Sequence, residues 1–276
     1  EILSEQKEKA LIPIAQSFYK AFYPIKIQHI FEQKNIEHIA LNLDERLHFL
    51  PWEMAHNGET FLNQSIFMER KVFPDSMYSY SEEKIEAPRV FFVSGKTSRE
   101  LEKRDSIIEK LQEEFPWLKI KTAYASEDSY DILQRISQSD IVHIMLPIVY
   151  NQESPMDSGW ILDGKKMLKL RFLENAPRLP KMFFHQRTLD NDFAQGNFLL
   201  NLYQLHIPYV LGTLQTSFPC ESIFRLYYNL LQGSKFYSAI QDARQKTLSL
   251  QESSVSGLVF YGCGQKLLGI LSRFKG

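Results

Sequence analysis

Residues 140–151 read Asp-Ile-Val-His-Ile-Met-Leu-Pro-Ile-Val-Tyr-Asn, and this stretch limits the fold more than any other part of the chain. Ile141, Val142, Ile144, Met145 and Leu146 form an apolar run interrupted only by His143. A strand with one wet face alternates polar and apolar residues, whereas an unbroken run is the pattern of a strand buried on both faces. Such a strand belongs at the centre of a sheet covered by helices on two sides. In an open α/β sheet the chemistry lies beyond the carboxyl ends of the strands. Pro147, Ile148, Val149 and Tyr150 therefore stand where a catalytic loop would be. None of these four transfers a proton near neutral pH or ligates a metal well.

The surrounding sequence supplies the rest of the sheet. Arg89–Ser94 reads as a strand, Gly95 as a turn, and Thr97-Ser98-Arg99-Glu100 as a capping box that opens a helix with Leu101, Ile108, Leu111 and Phe115 on one face. Leu118–Tyr124 reads as a strand and Ser129–Ser137 as a helix, leading into the strand at 140–146. Strand-helix-strand-helix-strand is the order of a parallel sheet with right-handed crossovers. Further on, a short strand is expected at Gly159–Leu162, a helix at Lys166–Glu174 and strands at Pro180–His185, Pro208–Thr213 and Gly257–Tyr261. Helices are expected at 197–204, 220–232 and 237–250. Before the sheet, residues 4–33 read as helix interrupted by Pro13 and Pro24, and strands at 36–43 and 65–73 suggest a small hairpin. The division expected is 1–75 for this N-terminal part, 76–88 for a polar linker loop and 89–276 for the core.

Composition narrows the class. Of 276 residues, 44% are hydrophobic and 24% charged, enough for a sizeable core. A net charge of −1 gives no bulk attraction to nucleic acid or to an anionic membrane. No apolar run reaches the roughly 20 residues that span a bilayer. The two cysteines, Cys220 and Cys263, are too few for a disulfide framework or a structural zinc site and fit a reducing, cytoplasmic setting. The chain begins at Glu1 and reads as a piece of something longer. No His-Glu-x-x-His, Cys-x-x-Cys, Gly-x-Gly-x-x-Gly or Gly-x-Ser-x-Gly string occurs, so neither a metal nor another cofactor is expected.

Several strings in order carry a resemblance: Leu50-Pro51-Trp52-Glu53-Met54 with Gly58 and Phe61-Leu62; Asp140-Ile141-Val142-His143; Ser158-Gly159-Trp160-Ile161-Leu162; Pro180-Lys181-Met182-Phe183-Phe184; Tyr209-Val210-Leu211-Gly212-Thr213-Leu214; and Phe260-Tyr261-Gly262. Together they resemble a CHAT domain, the caspase-like domain often found behind tetratricopeptide repeats and related to caspases and separase. The resemblance covers roughly residues 10–265. It implies a caspase-like α/β sandwich: a mostly parallel six-stranded sheet with helices on both faces, plus the N-terminal helix and hairpin region. Active members use a histidine in a Gly-rich loop after the third core strand and a cysteine after the fourth, the thiolate attacking a peptide carbonyl. Their third strand reads roughly Val-His-Phe-Ser-Gly-His-Gly; here Pro147 stands at the catalytic histidine and Leu146 and Ile148 at the glycines. Their fourth reads roughly Phe-Leu-Asn-Ala-Cys; here Arg187 stands at the cysteine.

The resemblance thus implies a pseudo-protease without its dyad, acting as an interaction or regulatory domain. A protein or peptide partner is implied, including tetratricopeptide repeats in the same full-length chain, in a bacterial signalling or defence protein. His143, within its strand, reads as a core residue. His185 and Arg187, at the end of theirs, would contact an anion or pair with Asp190 or Asp192, which gives a small-ligand sensor as one alternative. A divergent cysteine peptidase is the other, using Cys220 at a helix start with His143 or His185.

Overall fold

The computed structural model describes residues 2–33, 36–72, 85, 87–163, 166–186, 195–213, 219–249, 258–264, 266 and 268. Helices α1 (Ile2–Phe22) and α2 (Ile25–Gln33) lead into β1 (His38–Leu43). Pro24 separates the two helices, while Pro13 is accommodated inside α1. After 3₁₀ turns at Glu45–Leu47 and Trp52–Met54 come α3 (Leu62–Ser65), β2 (Phe67–Val72), β3 (Arg89–Ser94), α4 (Ser98–Glu114), β4 (Lys119–Tyr124) and α5 (Ser129–Ser137). The central strand is β5 (Ile141–Met145), followed by β6 (Ile148–Val149), β7 (Gly159–Ile161), β8 (Met167–Lys169) and α6 (Leu170–Glu174). The chain continues through β9 (Met182–His185), α7 (Gln195–Gln204), β10 (Tyr209–Thr213), α8 (Cys220–Leu231), α9 (Phe236–Ser249) and β11 (Leu258–Tyr261).

The main sheet has eight strands in the order β1-β2-β11-β10-β9-β5-β3-β4, not six. All neighbours are parallel except β10 and β11. The two extra strands are β1 and β2, which join through the pairing of Arg70 with Tyr261. Their expected hairpin is corrected to a parallel pair, His38 opposite Phe67 through Leu43 opposite Val72. A parallel pair needs a crossover rather than a tight turn, and the 3₁₀ turns and α3 between them supply it. The expected helix at 166–174 divides into β8 and the short α6.

Each strand carries two rows of side chains, and pairing aligns these rows across the sheet. One row is Phe92, His143, Phe184 and Leu211; it faces α4, α8 and α9. The next row, Phe91, Val142, Phe183 and Val210, faces α7 and the small β6-β7-β8 sheet. β5 is buried at every position, as its unbroken apolar run requires. Helix α8 covers the first face with Ile223, Leu226, Tyr227, Leu230 and Leu231, and Gly233 at φ +83° ends it in the left-handed conformation that favours glycine. The capping box of α4 is formed: Thr97 accepts from the Glu100 backbone and Glu100 reaches back. At the amino end of β5, Asp140 accepts from the Arg89 backbone at 2.9 Å and from Arg89 Nε at 3.1 Å, and pairs with Arg178. Burial opposes the charge on Asp140, but these bonds outweigh it and hold its pKa below the usual carboxylate range.

Candidate functional site

The carboxyl ends of β3, β5, β9 and β10 form the edge where a catalytic crevice would open. On the α8 face this edge carries Ser94, Met145, Gln186 and Thr213, two residues beyond the row that contains His143, and all four are buried. Ser94 accepts from Arg104 Nη1 at 3.1 Å. Gln186 donates its backbone N–H to the Ile144 carbonyl at 2.9 Å, and its side-chain Oε1 is buried without a hydrogen-bond partner.

His143 is fully buried. Its ring stacks on Phe184 at 4.4 Å, with Phe92 at 5.1 Å and Tyr227 at 5.9 Å. Neither ring nitrogen has a hydrogen-bond partner. Burial drives its pKa down to about 3; the Gln186 side chain, a polar neighbour, opposes the shift and His185 adds to it. This imidazole is neutral at physiological pH and enclosed by aromatic rings.

His185 lies opposite Ile144, one register step from His143, so its side chain emerges on the other face of the sheet. There it is buried, and its Nδ1 accepts from Trp160 Nε1 at 3.3 Å. Trp160 stacks on Phe183 at 5.2 Å and meets Phe198 edge-on at 5.1 Å. The Ser158-Gly159-Trp160 string therefore has a packing role. Ser158 Oγ accepts from the Asn151 backbone at 2.9 Å, and Gly159 lies so close to the Leu168 carbonyl that no Cβ fits.

Pro147 is half-buried, and its carbonyl accepts from the Ile161 backbone at 2.8 Å. Ile148 and Val149 then pair with Trp160 and Gly159. The segment at the expected loop is thus built into the small sheet. Arg187, Asp190 and Asp192 lie outside the described residues.

Cys220 is the first residue of α8, half-buried and not disulfide-bonded. Seven residues separate it from Tyr227, about 10 Å along the helix axis at 1.5 Å per residue. Tyr227 is the α8 side chain that contacts His143. The structure does not bring Cys220 into hydrogen-bond contact with His143, and the sheet separates His143 from His185. Cys263 follows β11 and is also half-buried.

Sequence reasoning missed a buried polar network beneath the Pro-Trp-Glu string. Glu53 accepts from Arg70 Nε at 2.8 Å and from Nη2 at 2.6 Å. Arg70 also donates to the carbonyls of His48 and Leu50. Burial opposes its charge, but Glu53 raises its pKa overall. His48 Nε2 lies 3.3 Å from the Leu43 carbonyl and Nδ1 3.0 Å from Tyr261 OH, which donates to the Gly196 carbonyl at 3.1 Å. Burial, helped by the Arg70 cation, lowers the His48 pKa to about 4. A second buried guanidinium, Arg244, donates to the Leu258 carbonyl at 2.8 Å, while its Nε and Nη1 have no partner; burial lowers its pKa to about 10. Its sequence signal was its place on the apolar face of α9, four residues from Ile240 and eight from Phe236.

No protein-family model matches the chain, and no curated protein matches it. Among solved structures it is similar to the Saccharomyces cerevisiae separase–securin complex, with a TM-score of 0.49 and 15% identity. The match covers 82% of this chain and 15% of that one, so the chain spans a small part of that protein's length. No residue role carries over from it. Among the described residues, no helix is long and apolar enough to cross a membrane, and no three His, Cys, Asp or Glu side chains gather as a metal-binding group.

Proposed function

We propose that this chain is a caspase-like domain that binds a protein or peptide partner without cleaving it. The observation that carries the reading is the placement of the two histidines nearest the strand ends. His143 is enclosed by aromatic rings on one face, and His185 is committed to Trp160 on the other. A general base must reach the proton it takes, near 3 Å; no hydrogen bond joins His143 to a thiol, and His185 lies on the face of the sheet opposite α8, which carries Cys220. Pro147 at the end of β5 has no ionisable group to offer. In a longer protein the partner would include tetratricopeptide repeats of the same chain, in a bacterial cytoplasmic signalling or defence setting; that context rests on the sequence resemblance alone.

The test is a peptide-cleavage screen of the chain and its Cys220→Ala variant, read by mass spectrometry, with thiol-directed probe labelling in parallel. No turnover above buffer, and no labelling of Cys220 competed by peptide, is the expected result. Turnover lost in Cys220→Ala would overturn the reading in favour of a divergent cysteine peptidase.

A further inference from the structure

Arg244 stands on the apolar face of α9 and is fully buried. Its Nη2 donates to the Leu258 carbonyl at 2.8 Å, and the Phe67 ring lies 6.0 Å from its guanidinium carbon. Nε and Nη1, which hold more than half of the donors of a guanidinium, have no hydrogen-bond partner. Even with burial lowering its pKa to about 10, the group stays protonated at neutral pH. The fold therefore buries a positive charge and leaves most of its N–H groups unmet, which is costly without a counter-charge.

The described residues do not balance that charge. Glu53 is the one carboxylate among them that acts on Arg244, and both of its oxygens already hold Arg70. The other buried glutamate near β11, Glu69, accepts from the Gly264 backbone at 2.6 Å and lies 3.3 Å from His38 and 3.6 Å from Lys71. Arg70 and Arg244 thus share Glu53, and one positive charge is left over.

We propose that Arg244 is the centre of a buried site for one small monovalent anion of the chloride class, enclosed by α9, the start of β11 and the first turn of α8. This is independent of the function proposed above. The surplus is a single charge, so a monovalent ion completes it. The site is buried and has Phe67 at its side, so a strongly hydrated, multiply charged ion such as phosphate would lose more on entering than it gains.

The surroundings of Arg244 also favour an anion. Leu258 opens β11 opposite Thr213, the last residue of β10, and α8 is the next helix after that strand end. In the first turn of α8, Ser222 Oγ lies 2.8 Å from Thr247 Oγ1. Thr247 follows Arg244 by one turn on the same face of α9. The guanidinium is therefore carried near the amino end of the twelve-residue α8, whose N-cap, Pro219, makes no side-chain capping bond. Free N–H groups and the helix dipole make such an end attractive to negative charge.

Thermal unfolding at constant ionic strength, with sodium chloride replacing sodium gluconate, tests the site. The unfolding midpoint of the chain is expected to rise with chloride, by a similar step for each tenfold increase once the site fills. Arg244→Met, confirmed as folded by circular dichroism, is expected to lose this dependence. No chloride dependence in the unsubstituted chain overturns the proposal, as does an equal dependence in Arg244→Met. Crystals of the unsubstituted chain grown in sodium bromide give a second reading that does not need the variant to fold. An anomalous-scattering peak beside Arg244 Nε or Nη1 is expected. A carboxylate of the chain itself in that place overturns the proposal. A peak without chloride-dependent stability is an adventitious ion only and overturns it too.

Discussion

Arg70 on β2 and Glu53 in the 3₁₀ turn before α3 form a two-bond ion pair, and neither side chain is more than 1% exposed. The pair fastens the crossover between β1 and β2 to the strand that meets β11. A buried pair contributes little net stability over a well-packed apolar pair, but removing one partner leaves the other charge unpaired, at a cost of about 3–5 kcal/mol. Arg70→Met and Glu53→Gln are each expected to destabilise by amounts in that range. The double variant Glu53→Gln/Arg70→Met should lose less than the sum of the two, which urea unfolding of all four proteins would measure as a double-mutant cycle.

His143 predicts the opposite sign. Its two nitrogens form no well-aligned hydrogen bond and are buried among Phe92, Phe184 and Tyr227, with the Gln186 side chain as a polar neighbour. An unsatisfied buried polar group costs about 1–3 kcal/mol, and a phenyl ring has a similar shape without that cost. His143→Phe is expected to leave stability unchanged or raise it, and to leave partner binding intact. A loss of several kcal/mol in thermal or urea unfolding would mean that the imidazole makes a polar contact essential to the fold.

What the sequence made legible was the centre of the sheet. β3, β4, β5, β9 and β10 each announce themselves by local apolar pattern, and the Thr97 capping box and Gly233 stop mark helix ends directly. The register of β5 against β9 was not legible. It decides that His143 and His185 lie on opposite faces, yet it depends on residues some forty positions apart. The β1–β2 pairing was missed for the same reason: a strand and turn pattern does not say whether the next strand returns parallel or antiparallel. β8 is three residues long, too short for a period of two to stand out from the start of a helix. Arg70 was hidden by its neighbours, because Glu69-Arg70-Lys71 looks like a solvated charge run although Glu69 and Arg70 are buried.

Gly159 shows how little room the small sheet leaves. Its ideal Cβ position falls within contact distance of the Leu168 carbonyl oxygen and of Lys169 Cα, both backbone atoms that cannot rotate away. Gly159→Ala therefore forces β7 from β8 and tilts Trp160, whose indole covers Phe183 and holds His185. Overpacking of this kind costs about 1–3 kcal/mol. The expected signature is a lowered unfolding midpoint with altered tryptophan fluorescence. Gly58, at φ +110° with open space around its missing side chain, offers a contrast: Gly58→Ala should destabilise through backbone strain and leave the Trp160 environment unchanged.

Acid should weaken the fold earlier than carboxylate titration alone would. His48 and His143 are buried neutral, with pKa values lowered to about 4 and about 3, whereas an unfolded histidine titrates near 6.5. Above about pH 6.5 neither state binds the proton and stability is flat in these groups. Below it the unfolded chain takes up protons that the folded chain refuses, so stability falls by about 1.4 kcal/mol per pH unit for each histidine. The fall continues until the folded pKa is reached. Asp140 adds a separate loss at lower pH: its folded pKa is depressed, so its contribution is present above about pH 3.9 and disappears as pH drops through the folded value. Urea unfolding midpoints between pH 7.5 and 4.5 should therefore decline steadily. His143→Phe should remove its own part of the slope, leaving the parts of His48 and of His56, whose pKa burial also lowers. A flat profile across that window would mean that these imidazoles become protonated without cost inside the folded protein.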